Sequence, residues 1–131
     1  MSRPCPCTSK RALERCCGPY LSGERLPETA EALMRSRFSA YALGKVDYLI
    51  ATTAQEKRAE LDRGELQRYC KGMSFVSLRI LATERGGAED SEGVVTFHAS
   101  LQTQGRRVLH REVSRFVRED GRWMYVDGDT N

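Results

Sequence analysis

The sequence predicts an α+β protein with a small cysteine-rich knuckle ahead of one domain of ordinary size. Two changes of pattern along the 131 residues indicate this. Four of the five cysteines fall within the first 25 residues. Apolar residues then recur at helical spacing to about residue 70, and from Ser74 they alternate with polar ones, as in strands. Helices followed by a meander of antiparallel strands give an α+β architecture.

Positive charge is concentrated in the same N-terminal stretch. Residues 1–25 carry five basic and two acidic side chains, which account for the whole formal net charge of +3. That charge is too small to indicate a nucleic-acid partner by itself. No run approaches the roughly 18 apolar residues that span a bilayer, and no apolar leader follows Met1. We therefore expect a cytoplasmic protein with no membrane partner.

The cysteines form a pattern that predicts a metal site. Cys5 and Cys7 flank a proline in a segment that we expect to be extended, so both side chains share a face. We predict a short helix over residues 9–16, capped by Thr8 or Ser9, which brings Cys16 and Cys17 to the same ion. Four thiolates suit a tetrahedral zinc ion and leave no position for a catalytic water. We therefore predict one structural zinc per chain.

Disulfide and redox roles are the alternatives. A Cys5–Cys7 disulfide would close a very tight ring, whereas a Cys7–Cys16 bond is feasible but out of place in a reducing compartment. A thiol redox role stays open, although the sequence has no Cys-x-x-Cys pair.

The cysteine spacing resembles a known motif. The pattern of Cys-Pro-Cys, eight intervening residues and Cys-Cys-Gly resembles the SEC-C zinc motif. The resemblance implies that this motif occupies residues 1–22. That motif usually continues Gly-Ser-Gly after Cys-Pro-Cys, where this chain has Thr8, Ser9 and Lys10. The resemblance implies the same four-cysteine zinc ligand set.

Three helices are predicted after the knuckle. Pro27 and Glu28 suit the start of a helix that runs to Gly44, because the proline fixes φ and the acid complements the helix dipole. A short helix follows over residues 46–51. A third is predicted over residues 54–70, although Gly64 weakens it.

Four strands are predicted from Ser74 onward. The first covers residues 76–80, and a polar loop from Glu84 to Gly93 separates it from the second, over residues 95–102. The other two cover residues 108–118 and 122–127, each after a turn that contains glycine.

The body of the chain resembles the bacterial YchJ family. Residues 29–41, 46–52, 114–116 and 123–128 carry the resemblance. It implies that residues 27–131 form a nuclear-transport-factor-2-like domain of the cystatin-superfamily type, in which a curved antiparallel sheet wraps a long helix into a cone. The biochemical role of that family is not established.

Domains of this shape often hold a pocket, in which side chains can bind a ligand or react with it. His98 and His110 are expected to face solvent, which argues against acid–base chemistry. No phosphate loop, nucleotide fingerprint or hydrolase triad is present. The candidates for a pocket or an anion site are Arg35, Arg37, Tyr41, Arg115, Trp123 and Asp127. Ion pairing, for example with Asp127, is the simpler interpretation of the arginines.

The sequence therefore favours a non-enzymatic zinc protein that contacts a protein or ribosome-associated partner through its knuckle. An enzyme acting on a small molecule in the cone pocket is the alternative. Four thiolates and Zn²⁺ together carry −2, which would lower the net charge from +3 to about +1. The knuckle is then close to charge-compensated, which favours a protein partner over nucleic acid. The oligomeric state and the role of Cys70 are not predicted.

Overall fold

The computed structural model describes residues 3–130, so the outer limits of the two predicted domains, at residues 1 and 131, lie outside the described residues. Four helices precede four strands. The helices are α1 (Gly18–Ser22), α2 (Ala30–Leu43), α3 (Val46–Ala51) and α4 (Arg63–Gly72). Short 3₁₀ turns occupy Leu13–Arg15 and Gln55–Glu60. The strands are β1 (Ser74–Arg85), β2 (Glu92–Thr103), β3 (Arg106–Glu119) and β4 (Arg122–Thr130).

Helix α2 is the central helix of the domain. It begins where the Thr29 hydroxyl accepts a hydrogen bond from the Ala32 amide at 3.0 Å. The amide of Ala30 also donates to the carbonyl of Gly86, at 2.9 Å, which ties the helix start to the end of β1. A side chain at position 86 would press on Ala30, and φ there is +78°, so this close approach requires glycine.

The strands form one antiparallel sheet in the order β1-β2-β3-β4. Alternate residues of β2 are buried on its inner face: Val95, Phe97, Ala99 and Leu101. Irregular pairing within β1 and between Arg115 and Phe116 of β3 bends the sheet. Helix α2 packs against this inner face, and the predicted α+β cone is confirmed.

Two helix predictions are wrong. Residues 9–16 form only the 3₁₀ turn Leu13–Arg15, because their backbone pairs with the first segment. Cys5 N–H donates to Arg11 C=O, and Leu13 N–H donates to Arg3 C=O, both at 2.9 Å. The predicted helix over 54–70 is divided, since Leu61 is extended and the Asp62 side chain caps α4.

The core runs without a break from the knuckle to the sheet. Cys5, Cys7 and Cys17 belong to the same buried cluster as Leu33 of α2 and Phe97 of β2. The division into residues 1–22 and 27–131 stays a prediction. Within residues 3–130, no helix has the length and apolar character needed to cross a membrane.

Candidate metal centre and cavity

The four N-terminal cysteines converge. Their Sγ atoms all lie within 4.8 Å of one another, and Cys7 and Cys16 approach to 3.6 Å. A tetrahedral zinc ion with bonds near 2.3 Å would place its sulfur ligands about 3.8 Å apart. The observed spacing fits such an ion with little rearrangement. All four ligand positions would be filled by protein, as in a structural site.

The knuckle is packed into the body. Relative exposure is 4% for Cys5, 0% for Cys7 and 1% for Cys17, whereas Cys16 is partly exposed. The Cys5 sulfur lies 3.4 Å from the Ser39 hydroxyl, which α2 supplies. A metal bound here would therefore link residues 5–17 to the central helix.

The ionisation of the cysteines is mutually dependent. Hydrogen bonds from Cys17 and Cys7 lower the pKa of the Cys5 thiol. The contact with Cys5, followed by that with Cys7 and by burial, raises the pKa of Cys17. A bound dication would stabilise all four thiolates at once, and its binding would release protons.

The loop between the two cysteine pairs uses an unusual backbone. Thr8 and Lys10 have φ values of +60° and +75°, and neither is glycine. These are the positions at which the SEC-C motif usually has glycine, so this chain adopts positive φ there with non-glycine residues. The Thr8 hydroxyl accepts from the Leu78 amide at 3.1 Å and lies 3.0 Å from the Leu78 carbonyl, which attaches the loop to the outer edge of β1.

Basic side chains surround the exposed side of the four-cysteine cluster. Arg11, Arg15, Arg25 and Arg35 line a surface groove beside Cys16. We call this the knuckle groove, and its floor includes Pro19 and Tyr20. Burial opposes the charge on Arg35, but the hydrogen bond with Glu31, at 3.1 Å, and the nearby Cys7 raise its pKa. Glu14 also lines the groove, and Arg25 and Arg35 pair with Glu28 and Glu31, so its excess positive charge comes from Arg11 and Arg15.

A cavity of about 280 Å³ lies between α2, α4 and the inner face of the sheet. Its walls are mainly aromatic and include Tyr41, stacked on Phe75 at 5.5 Å between ring centroids. Tyr69 of α4 packs edge-on against both rings and is 43% exposed. Arg37 also lines the cavity and is only 5% exposed.

The cavity wall carries an acid–base pair. Glu112 accepts from His110 Nε2 and from the Tyr125 hydroxyl, each at 2.9 Å, and from the Ser114 hydroxyl. Burial, followed by the nearby Glu112 carboxylate, raises the pKa of Tyr125. The prediction that His110 faces solvent is wrong: its side chain is two-thirds buried, because residues 110, 112, 114 and 116 of β3 share the inner face.

The three candidate arginines are not brought together. Arg35 lies in the knuckle groove and Arg37 in the cavity. Arg115 is on the outer face of the sheet, where it pairs with Asp127 at 2.6 Å and with Asp129 at 3.0 Å. Among the candidates, Arg37 and Tyr41 share the cavity, whereas Arg115 and Asp127 form an ion pair outside it.

Trp123 lies away from the cavity as well. It is buried, its indole donates to the Glu28 carbonyl at 3.0 Å, and the Arg118 guanidinium stacks on the ring at 4.6 Å. It therefore helps to fix the segment that precedes α2. It also lines a separate depression beside Tyr20 and Leu26.

Sequence reasoning missed Glu112 and Gly128. Glu112 sits among charged residues in the sequence, and only its parity with the buried Ser114 and Phe116 indicates that it faces inward. A side chain at position 128 would clash with the Glu112 carboxylate, so glycine there makes room for it.

The comparisons with known proteins agree with this architecture. The family model for the middle, nuclear-transport-factor-2-like domain of YchJ matches residues 29–128. A UPF0225 protein of Chromobacterium violaceum is 45% identical over 125 residues, covering 95% of this chain and 90% of the relative. A UPF0225 protein of Geobacter sulfurreducens is 37% identical over 128 residues, covering 98% and 80%.

Two solved structures share the whole fold. The solution structure of a SEC-C motif protein from Rhodopseudomonas palustris has a TM-score of 0.89 at 35% identity, covering 98% of this chain and 99% of that one. The crystal structure of a SEC-C motif protein from Psychrobacter arcticus has a TM-score of 0.84 at 26% identity, covering 98% and 83%. With its cysteine knuckle and its curved sheet around one central helix, the chain belongs to the YchJ family of SEC-C motif proteins.

Proposed function

We propose that this protein is a non-enzymatic binding protein whose structural zinc holds the knuckle in place for a protein partner. The observation that carries the proposal is the knuckle groove, in which Arg11 and Arg15 lie beside the partly exposed Cys16, while Arg25 and Arg35 form ion pairs with glutamates of this chain. A groove of this charge suits an acidic segment of a protein, including a ribosome-associated one.

Zinc is the metal that suits the ligand set best. Four thiolates favour zinc or an iron–sulfur centre over hard cations such as Mg²⁺. The sulfur spacing fits a single tetrahedral ion, and the burial of three cysteines fits a structural role. The metal would hold the knuckle rigid, while the arginines of the knuckle groove would contact the partner.

The test compares two charge-reversal variants of the zinc-loaded full chain. The first, Arg11→Glu with Arg15→Glu, alters the knuckle groove; the control, Arg106→Glu with Arg107→Glu, makes the same change of net charge at the exposed β2–β3 hairpin. Binding is measured by the fluorescence anisotropy of a labelled Glu- and Asp-rich peptide, and partners captured from a lysate are compared in parallel.

Loss of peptide binding in the groove variant alone would support the proposal. Equal loss in both variants would mean that net charge, not the groove, attracts the peptide. Unchanged binding in both would exclude the groove. Point variants are preferable to deletion of residues 1–22, since deletion would expose the core that Cys5, Cys7 and Cys17 cover.

A second candidate function is an enzyme acting on a small molecule in the cavity. The His110–Glu112 pair favours it, because a carboxylate that orients an imidazole is a common general-base arrangement. In that case Glu112→Gln would abolish turnover without altering zinc content, whereas the knuckle-groove variant would leave turnover intact.

A further inference from the structure

Arg37 is an unusual feature of the cavity. Its side chain is buried within the domain at 5% exposure. It donates from Nη1 to the Leu49 carbonyl at 3.0 Å and to the Thr52 hydroxyl at 2.7 Å, with Thr53 farther away at 3.4 Å. All of these acceptors are neutral. Its guanidinium also lies 4.5 Å from the centroid of the Tyr125 ring.

No carboxylate of the described residues pairs with this cation. Glu112 is the one acidic residue among those that line the cavity, and it is occupied by His110, Ser114 and Tyr125. A buried charge without a counter-ion is costly, and a ring face compensates only part of that cost. Arg37 thus has no carboxylate at ion-pair distance among the described residues, and an anion in the cavity could pair with it directly.

Two nitrogens of the Arg37 guanidinium are not used for hydrogen bonds among the described residues. Within residues 3–130, its Nε and Nη2 atoms make no hydrogen bond, and no fully buried side-chain nitrogen lacks a partner. These two nitrogens therefore keep some accessible surface, and the cavity is the space that Arg37 lines. Nε and Nη2 together form the edge of a guanidinium that binds a carboxylate with two parallel hydrogen bonds.

The aromatic walls of the cavity indicate which kind of group the anion carries besides its charge. Phe38, Tyr41, Tyr69 and Phe75 form a connected group of rings with centroids 5.5–5.8 Å apart. Such walls suit a flat apolar body. The volume of about 280 Å³ is at the small end for ligand sites, so a single ring with a short side chain suits it.

We propose that the cavity binds a small aromatic monocarboxylate, whose carboxylate pairs with Arg37 and whose ring packs among Phe38, Tyr41, Tyr69 and Phe75. A monoanion matches the single unpaired cation. A phosphate dianion would leave an excess negative charge in an apolar cavity that already contains Glu112. This site is separate from the knuckle groove, and neither proposal depends on the other.

The test uses three probes of the same shape and different charge on the zinc-loaded full chain. They are 3-phenylpropanoate, the neutral 3-phenylpropanamide and the cationic 3-phenylpropan-1-amine, each titrated by isothermal calorimetry and by the amide resonances of residues 37, 41 and 97. We expect the carboxylate to bind at least about tenfold more tightly than the amide. We also expect the amine to bind more weakly than the amide.

Two variants separate the contributions of charge and space. Arg37→Met should reduce carboxylate affinity to that of the amide. Because Arg37 also holds the end of α3, Ala99→Leu provides a second variant that occupies the cavity and leaves the cation in place. It should weaken all probes, while the control Ser100→Leu, on the opposite face of β2, should weaken none.

Equal affinity for carboxylate and amide would overturn the proposal, as would preference for the amine. Failure of the carboxylate to saturate the protein below about 10 mM would also overturn it. Carboxylate binding that survives Ala99→Leu unchanged would place the probe outside the cavity and overturn the assignment.

Discussion

Replacing Lys10, in the left-handed loop of the knuckle, by glycine should raise the free energy of unfolding. Lys10 has φ of +75°, which costs an L-residue about 1–2 kcal/mol. Glycine would remove that cost but would lose about 0.5–1 kcal/mol through its freer unfolded chain. Lys10→Gly should therefore stabilise the zinc-loaded protein by about 0.5–1 kcal/mol.

Lys10→Ala is the matched control. It removes the same exposed charge and keeps the left-handed cost, so its stability should stay within about 0.5 kcal/mol of wild type. Stability is measured by urea denaturation at saturating zinc, with the midpoint and the slope compared among the three proteins. If Lys10→Gly is no more stable than Lys10→Ala, backbone strain at this position does not contribute and the reasoning fails.

Thr8 should respond in the opposite direction. Glycine would relieve the φ of +60° but would remove the hydroxyl that both accepts from and can donate to Leu78. Each lost hydrogen bond costs about 0.5–1.5 kcal/mol, which outweighs the backbone gain. We expect Thr8→Gly to destabilise the protein by about 1 kcal/mol, whereas Thr8→Ser should be close to neutral.

Three further predictions concern the sheet, a surface ion pair and the metal. Gly128→Ala should displace Glu112 and lower stability by about 1–3 kcal/mol, measured by denaturation, and an unchanged Tyr125 hydroxyl environment by NMR would contradict it. Hydrogen bonds from Arg115 lower the pKa of Asp129, so this carboxylate stabilises the fold above its unfolded pKa and loses that effect as pH falls through its folded pKa. In Arg115→Gln the carbon-13 titration midpoint of Asp129 should rise, and an unmoved midpoint would exclude the pairing. Chelation should lower the Tm of the whole chain, since three cysteines lie in the common core, and melting of the body at an unchanged Tm would contradict this.

Periodicity predicted the order of the elements well. The strands are antiparallel neighbours in sequence, so alternation and glycine turns are enough to place them. The helix over residues 9–16 failed because the backbone of Arg11 and Leu13 pairs with Cys5 and Arg3, a contact that helix propensity does not reveal.

The convergence of the four cysteines was predicted because close thiol spacing is a strong local signal. The cavity was harder to predict, because the contact between Arg37 and Tyr125 joins residues 88 positions apart. His110 was misplaced since its neighbours in sequence are charged, whereas its face of β3 is shared with Glu112, Ser114 and Phe116. Parity along β3 with the buried Ser114 and Phe116 is the signal that reveals that face.

The most direct test of the account is X-ray absorption at the zinc edge, together with metal analysis, on protein purified without chelator. We expect about one zinc per chain with four sulfur neighbours near 2.3 Å. Cys16→Ser, which replaces the most exposed ligand, should change the first shell to three sulfurs and one oxygen or nitrogen. Metal-free native protein with Cys5, Cys7, Cys16 and Cys17 all freely titratable as thiols would contradict the central claim.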